Sequence, residues 1–194
     1  AIQSTAAPGY FKYHDTDGSR TITEDDRTYL GSPLPWLMLG ANIGFDWKGF
    51  DFSMVLSANI GNKIFNAKRI NKQVFPDGNY DLAFYRNAWR EDAKSSTYPS
   101  PKALTQSQMA QSNSFFVEDG SMFRIQNVQL GYTFRNVFGS GRIRAYLSAQ
   151  RPLSLFGYNG FTTEIGGSPT ETGIDGSSVY PMQAIYTAGL NINF

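Results

Sequence analysis

The chain has 194 residues, 15% aromatic residues, no cysteine and a formal net charge of +1. No stretch approaches the roughly 18 consecutive apolar residues of a transmembrane helix, so a helical membrane protein is excluded. The near-neutral charge without a basic cluster argues against a nucleic-acid surface, and the lack of cysteine excludes disulfides and thiolate ligands. The remaining classes are a soluble all-β domain and a membrane β-barrel.

Residues 1–35 contain an Asp-rich segment, DTDGSRTITEDD, at residues 15–26. Oxygen-bearing residues recur there with the spacing of an EF-hand-type calcium loop, at Asp15, Asp17, Ser19, Thr21 and Asp26. Arg20 occupies the sixth position, where the sharp turn favours glycine, and Asp26 is shorter than the usual glutamate. The alternative is a loop held by Asx-turn hydrogen bonds. The segment is a candidate Ca²⁺ site, and no cofactor is expected to be required.

Five segments alternate apolar and polar side chains with the two-residue period of a β-strand. The pattern predicts strands over residues 36–47, 50–60, 122–134, 142–150 and 184–194. In the third segment, Phe123 and Ile125 lie on the opposite phase, which predicts a bulge or a stretch standing above the lipid. A half-buried strand of a soluble sandwich gives the same alternation.

The connections between these strands alternate between short and long. Residues 48–49 and 135–141 form short connections, whereas residues 61–121 and 151–183 form long loops. Outer-membrane barrels have short periplasmic turns and long extracellular loops, and compact soluble domains seldom tolerate loops of such length. The sequence therefore favours an antiparallel transmembrane β-barrel segment over residues 36–194, with residues 1–35 and both long loops outside the cell.

The first long loop is rich in aromatic residues interleaved with arginines. Tyr85 and Trp89 are candidate substrate-binding residues, since aromatic faces beside charged donors suit sugar stacking or peptide contacts. The alternative is that such aromatics pack the loop into an ordered lid. On the fourth strand, an inward set is predicted to line the lumen or contact a plug: Arg142, Arg144, Tyr146 and Gln150.

Catalysis finds little support in the sequence. His14 is the only histidine and there is no cysteine, which excludes histidine-based metal sites and cysteine nucleophiles. The glycine-rich residues 138–142 lack the P-loop lysine and are interpreted as a turn. We therefore expect a protein that is not an enzyme.

The final strand ends with a polar residue, a glycine and two apolar residues, namely Thr187, Gly189, Ile192 and Phe194. This pattern resembles the sorting signal that the barrel-assembly machinery reads. An aromatic end at the periplasmic boundary also suits the aromatic girdle of a barrel. The alternative is that Phe194 is merely one lipid-facing aromatic.

The most specific signal is a set of motifs spread over nearly the whole chain. They are residues 14–32, 48–51, 123–132, 173–175, 180–181 and 189–191. In this order, on these strands and loops, they resemble the carboxy-terminal end of SusC/RagA-type TonB-dependent transporters. Departures at Arg151-Pro152 and at residues 182–184 lie at the ends of one outer loop, so they affect the shape of that loop and not the fold.

The resemblance implies the last five or so strands of an outer-membrane barrel of about 22 strands. It implies import of oligosaccharides or oligopeptides across a Gram-negative outer membrane, with a SusD-like surface lipoprotein as partner. The TonB complex would act through a plug that has no counterpart in these residues, and barrel-assembly machinery and lipid would be further partners. The alternative from another class is a secreted, soluble all-β carbohydrate-binding module with a calcium loop.

Overall fold

The structure is a computed structural model that describes residues 3–4, 6–74, 82–94, 97–105, 112–137, 139, 141–165, 172–176 and 179–193. The chain divides into two compact units. The first unit consists of Ala1–Gly31, Phe65–Val117 and Ile174–Ser178. The second unit consists of Ser32–Ile64, Glu118–Gly173 and Val179–Phe194.

Strands and helices are numbered along the chain. The strands are β1 (Leu37–Trp47), β2 (Phe50–Ile60), β3 (Lys63–Phe65), β4 (Val117–Asp119), β5 (Met122–Val137), β6 (Gly141–Phe156) and β7 (Ile185–Asn193). The helices are α1 (Ala67–Val74), α2 (Leu82–Asn87) and α3 (Pro101–Thr105), with short 3-10 helices at Glu24–Asp26 and Ser114–Phe116. Among the described residues, none of these helices is long and apolar enough to cross a membrane.

The second unit contains a five-stranded sheet in the order β1-β2-β5-β6-β7. All four strand pairs are antiparallel. The turn between β1 and β2 consists of Lys48 and Gly49, which have φ angles of 48° and 93°. Two positive φ angles are what a two-residue type I′ hairpin turn requires, which explains why the pattern breaks so sharply there.

The strand register places the apolar residues of all five strands on one side of the sheet. Phe45 pairs with Phe52, and their rings stack with centroids 5.2 Å apart. We call this side the apolar face, and its exposed members include Leu39, Ile43, Phe45, Leu130, Phe134, Leu147, Leu190 and Ile192. The opposite side is the polar face, which carries Asp51, Ser57, Arg124, Arg144 and Tyr146. A sheet with these two faces is what a barrel wall between lipid and a wet lumen requires.

Strands β5 and β6 are longer than the alternation predicts. β5 runs to Val137 instead of residue 134, and β6 covers Gly141–Phe156 instead of residues 142–150. The short connection is therefore tighter than predicted, and the second long loop begins after Phe156 and not at residue 151.

A bulge explains why the pattern underestimates β6. The β5–β6 register shifts between Ile125 and Asn127, and Arg151 in the facing segment of β6 has a φ of 51°. The β2–β5 register shifts at the same point of β5. The bulge predicted from the phase of Phe123 and Ile125 is confirmed. It interrupts the two-residue alternation of β6, so the sequence pattern does not show that this strand continues beyond residue 150.

The first unit is organised by an aromatic cluster. Phe84, Ala88 and Phe116 are buried at its centre. The partly buried side chains packed around them are Phe11, Phe65, Ile70, Tyr98 and Phe115. The guanidinium carbon of Arg69 lies 3.9 Å from the centroid of the Phe115 ring, and Arg69 Nη1 donates to the Phe115 carbonyl at 3.1 Å. The first long loop therefore has a core of its own.

Residues 174–175 are attached to the start of α1 within the same unit. Asp175 accepts from the backbone N–H of Lys68 through its carbonyl at 3.1 Å, and its own N–H donates to the Phe65 carbonyl at 2.9 Å. The Lys68 ammonium lies 2.9 Å from the Asp175 carboxylate, which is fully buried. Because a buried carboxylate needs a partner, this pair fixes residues 174–175 to the helix.

Candidate functional site

The polar face of the sheet carries a row of four residues, one on each of four neighbouring strands. In register, Asp51 pairs with Gly131, Gly131 with Tyr146, and Tyr146 with Gly189. The two glycines leave space that longer side chains fill. A Cβ atom at Gly189 would lie 2.7 Å from Cε1 of Tyr146, so the Tyr146 ring covers this position of β7.

Arg144 spans the other glycine of this row. Its Nε donates to Asp51 Oδ2 at 2.8 Å, and its Nη2 contacts the second carboxylate oxygen, so the pair is bidentate. A Cβ atom at Gly131 would lie 2.6 Å from Arg144 Nη2. Glycine at 131 therefore lets β6 and β2 be linked across β5. Arg144 was predicted to lie on the inward face of its strand, and it lies on the polar face of the sheet. Its partner Asp51 was not identified from the sequence.

A second arginine of the polar face, Arg124, is buried and pairs with Glu164. Neither residue was identified as functional from the sequence. The signal available in the strand register is an inward arginine flanked on both neighbouring strands by serines, Ser57 and Ser154. Because these serine side chains are short, the Arg124 guanidinium has to be covered by residues from another part of the chain.

The Asp-rich segment brings together three of its five predicted ligands. The carboxylates of Asp15, Asp17 and Asp26 each offer an oxygen within 4.8 Å of the others. Ser19 Oγ donates to the Thr21 carbonyl at 3.0 Å, so these two oxygens are also adjacent.

Arg20 adopts the backbone conformation that the sixth position of a calcium loop requires. Its φ is 63°, in the left-handed region that glycine adopts most readily. Its N–H donates to Asp15 Oδ2 at 2.8 Å, and the N–H of Gly18 donates to Asp15 Oδ1 at 2.8 Å. The turn is therefore formed despite the arginine. The donor set of carboxylates, a hydroxyl and a carbonyl fits a hard cation such as Ca²⁺.

Hydrogen bonds to backbone N–H groups hold these carboxylates in their charged form. Donation from Thr23 and from Thr16, each at 2.7 Å, lowers the pKa of Asp26. Donation from Ser19 lowers the pKa of Asp17. Because a hydrogen bond to a carboxylate favours its charged form, the loop retains the ionised oxygens that a cation would need.

The two predicted substrate-binding residues have different environments. Tyr85, on α2, is 63% exposed. Trp89 is half-buried and packs on Gly9, where a Cβ atom would lie 2.5 Å from Cε3 and 2.8 Å from Cδ2 of the indole. The backbone N–H of Ser100 donates to the Gly9 carbonyl at 2.8 Å, which holds the glycine against the ring. Tyr85 is therefore free to contact a ligand, while Trp89 presents only part of its ring.

Three of the four predicted assembly-signal residues lie on β7. Thr187, Gly189 and Ile192 pair in register with Ser148, Tyr146 and Ile143 of β6. Ile192 is on the apolar face, and Thr187 and Gly189 are on the polar face. Phe194 lies outside the described residues.

Comparison with known proteins identifies the relatives of the chain. No family model matches it. TonB-dependent receptor P26 of Formosa agariphila is 32% identical over 203 residues, which cover 96% of this chain and 20% of that receptor. TonB-dependent receptor P3 of the same organism is 29% identical and covers 100% of this chain and 20% of that receptor. TonB-dependent receptor SusC of Bacteroides thetaiotaomicron is 29% identical and covers 93% of this chain and 17% of that receptor.

Solved structures give the same relationship in three dimensions. The RagAB peptide importer in the 'closed-closed' state superposes with a TM-score of 0.70 at 28% identity, covering 93% of this chain and 20% of that chain. The RagAB peptide transporter superposes with a TM-score of 0.69 at 27% identity, covering 96% and 21%.

The chain belongs to the SusC/RagA-type TonB-dependent receptors. The match lies in the carboxy-terminal part of these receptors. The predicted family and the predicted antiparallel barrel segment are confirmed. The chain spans about a fifth of the length of the curated relatives that it matches. These relatives are outer-membrane receptors and transporters and not enzymes.

Proposed function

We propose that the chain is part of the barrel wall of an outer-membrane importer that takes up oligosaccharides or oligopeptides with energy from the TonB complex. The observation that carries this proposal is the relationship to TonB-dependent receptors over nearly the whole chain. The two-faced sheet supports it, because the apolar face suits lipid and the polar face suits a wet lumen. The same reasoning favours the outer membrane of a Gram-negative cell as the location.

The partners follow from the family. A SusD-like surface lipoprotein would bind on the extracellular side, and the TonB complex would act through the plug of the receptor. The names of two relatives support this arrangement, since one is SusC and the other is the importer RagAB. RagAB is described as a peptide importer, which supports oligopeptides as a substrate class in addition to oligosaccharides.

Uptake by intact cells tests this proposal. Cells with and without the full receptor gene are given a mixed pool of tryptic peptides and maltooligosaccharides, and depletion of each class is followed by mass spectrometry. We expect the receptor to deplete one class, and disruption of TonB to abolish the difference. Recovery of the protein in the aqueous supernatant, without membrane partitioning, would instead support a secreted carbohydrate-binding module.

We also propose that residues 15–26 bind Ca²⁺ on the extracellular side. The support is the convergence of three carboxylates on a turn whose sixth residue has the left-handed backbone conformation. Calorimetry of the intact receptor with calcium chloride tests it, with Asp15→Asn expected to abolish the binding heat. Asp25→Asn is the matched control, since it removes the same charge from outside the cluster. Equal binding by both variants, or none by the wild type, would contradict the proposal.

We propose two further roles. Tyr85 and Trp89 would contact substrate from the first long loop. The set Thr187, Gly189, Ile192 and Phe194 would guide recognition by the barrel-assembly machinery. The exposed Tyr85 ring supports the first role, and the polar, glycine and apolar residue pattern along β7 supports the second.

A further inference from the structure

Arg124 is buried although it lies on the polar face of the sheet. It is only 1% exposed and is the largest fully buried side chain among the described residues. Its register partners are Ser57 on β2 and Ser154 on β6, which are too short to cover a guanidinium. Because burial of an unpaired cation is unfavourable, the cover and the counter-charge must come from another part of the chain.

The chain that follows β6 supplies both. Glu164 forms an ion pair with Arg124 Nη1, while Arg124 Nε donates to Ser154 Oγ at 3.0 Å. Three other residues of the segment that contains Glu164 are buried as well, namely Tyr158, Thr162 and Thr163. Since Arg124 lies on the polar face, a carboxylate that reaches it lies over that face too. Residues 157–165, which we call the strap, therefore fold back onto the polar side of the sheet.

The strap is attached at a second point. The backbone N–H of Asn159 donates to Glu118 Oε2 at 2.9 Å. Between the two attachments, Phe161 is 55% exposed. An aromatic ring is thus presented from a segment that is fixed on both sides of it.

We propose that the strap is an inward-folded segment of the receptor that narrows the lumen, and that the ion pair between Glu164 and the buried Arg124 anchors it. The inference rests on the proposed function, because the polar face is the lumen only if the sheet is barrel wall. In that arrangement Phe161, which lies between the two attachments, would be on the lumen side of the sheet.

The Arg124–Glu164 pair differs from the other arginine–carboxylate pair of this face. Arg144 and Asp51 are 23% and 28% exposed, so water can solvate either group when its partner is lost. Arg124 is far less accessible, since its side chain is 2% exposed, while that of Glu164 is 36% exposed. Removal of Glu164 leaves the buried Arg124 guanidinium without its counter-charge and removes the ion pair that joins the strap to β5, so the strap should become more mobile.

Spin labelling of the intact receptor tests the anchor without any substrate. A nitroxide is attached to cysteine in Phe161→Cys, alone and combined with Glu164→Ala. We expect slow label motion in the parent and motion faster by about tenfold or more, typical of an exposed loop, after loss of Glu164. Asp51→Asn is the matched control, since it removes a paired carboxylate elsewhere on the same face and should leave the label slow. Slow motion in the Glu164→Ala receptor, or fast motion already in the parent, would overturn the anchor.

Accessibility to a water-soluble nickel complex and to oxygen tests the placement. The label at position 161 should collide mainly with the nickel complex. A second reporter, Leu147→Cys on the apolar face, should collide mainly with oxygen. Contact of the 147 label with the nickel complex would refute the barrel placement, and with it the lumen. If both labels, at positions 147 and 161, collide mainly with oxygen, the barrel placement stands and the placement of the strap over the polar face is refuted.

Discussion

The packing of Gly9 against Trp89 allows a quantitative test of how the first unit is held together. Gly9 has a φ of 82°, and Gly18 has a similar φ of 74°. A Cβ atom at Gly9 would meet the indole at 2.5 Å, whereas a Cβ atom at Gly18 would meet nothing within 4 Å. Alanine at either position therefore has the same backbone penalty, and only Gly9→Ala adds a clash.

The size of the difference follows from these two terms. The left-handed conformation costs an alanine about 1–2 kcal/mol, which both variants share. Overpacking against a ring adds about 1–3 kcal/mol for Gly9→Ala alone. At about 1.4 kcal/mol per factor of ten, the clash should raise the population of the locally open state around Trp89 by roughly fivefold to a hundredfold.

Hydrogen exchange measured by mass spectrometry on the intact receptor is the assay. In Gly9→Ala, peptides covering residues 82–90 and 97–105 should lose protection by the factor given above. In Gly18→Ala, the same peptides should keep wild-type protection. Unchanged protection in Gly9→Ala, or equal loss in both variants, would refute the packing of Trp89 on Gly9.

Three further predictions concern the acidic loop, the polar face and the last strand. Because the pKa of Asp26 is lowered, its hydrogen bonds stabilise the loop above about pH 4 and are lost as pH falls below that value. Protection factors of residues 16–26, corrected for intrinsic exchange, should fall in this acid range, and Asp26→Asn should flatten the change. Asp51→Asn should lower the free energy of unfolding by less than about 1 kcal/mol, since the pair with Arg144 is partly solvated, and a loss of several kcal/mol by denaturant titration would contradict this. Deleting Phe194 should reduce heat-modifiable barrel in outer-membrane fractions much more than Phe45→Ala does, and equal amounts would leave Phe194 with a packing role alone.

The strands were predictable from the sequence because period-two alternation is a local property of the chain. It located β1 and β2 closely and revealed the bulge near Ile125 through a change of phase. The same bulge hid the end of β6, because Arg151 leaves the regular backbone conformation.

The contacts of the polar face were not predictable in the same way. Arg124 and Glu164 are far apart in sequence, and only the fold of the strap brings them together. The role of Gly131 depends on the register of three strands, which no single segment encodes. The candidate calcium loop could be proposed from the sequence because the spacing of its oxygen-bearing residues is local, and the left-handed conformation of Arg20 shows that the turn forms without glycine.

A nitroxide scan along residues 41–45 of β1, in the full receptor reconstituted into lipid, tests whether the five-stranded sheet is a section of outer-membrane barrel wall. We predict that oxygen accessibility peaks at Ala41, Ile43 and Phe45, and that accessibility to a water-soluble nickel complex peaks at Asn42 and Gly44. High nickel accessibility at all five positions, without a two-residue period, would show that β1 does not face lipid.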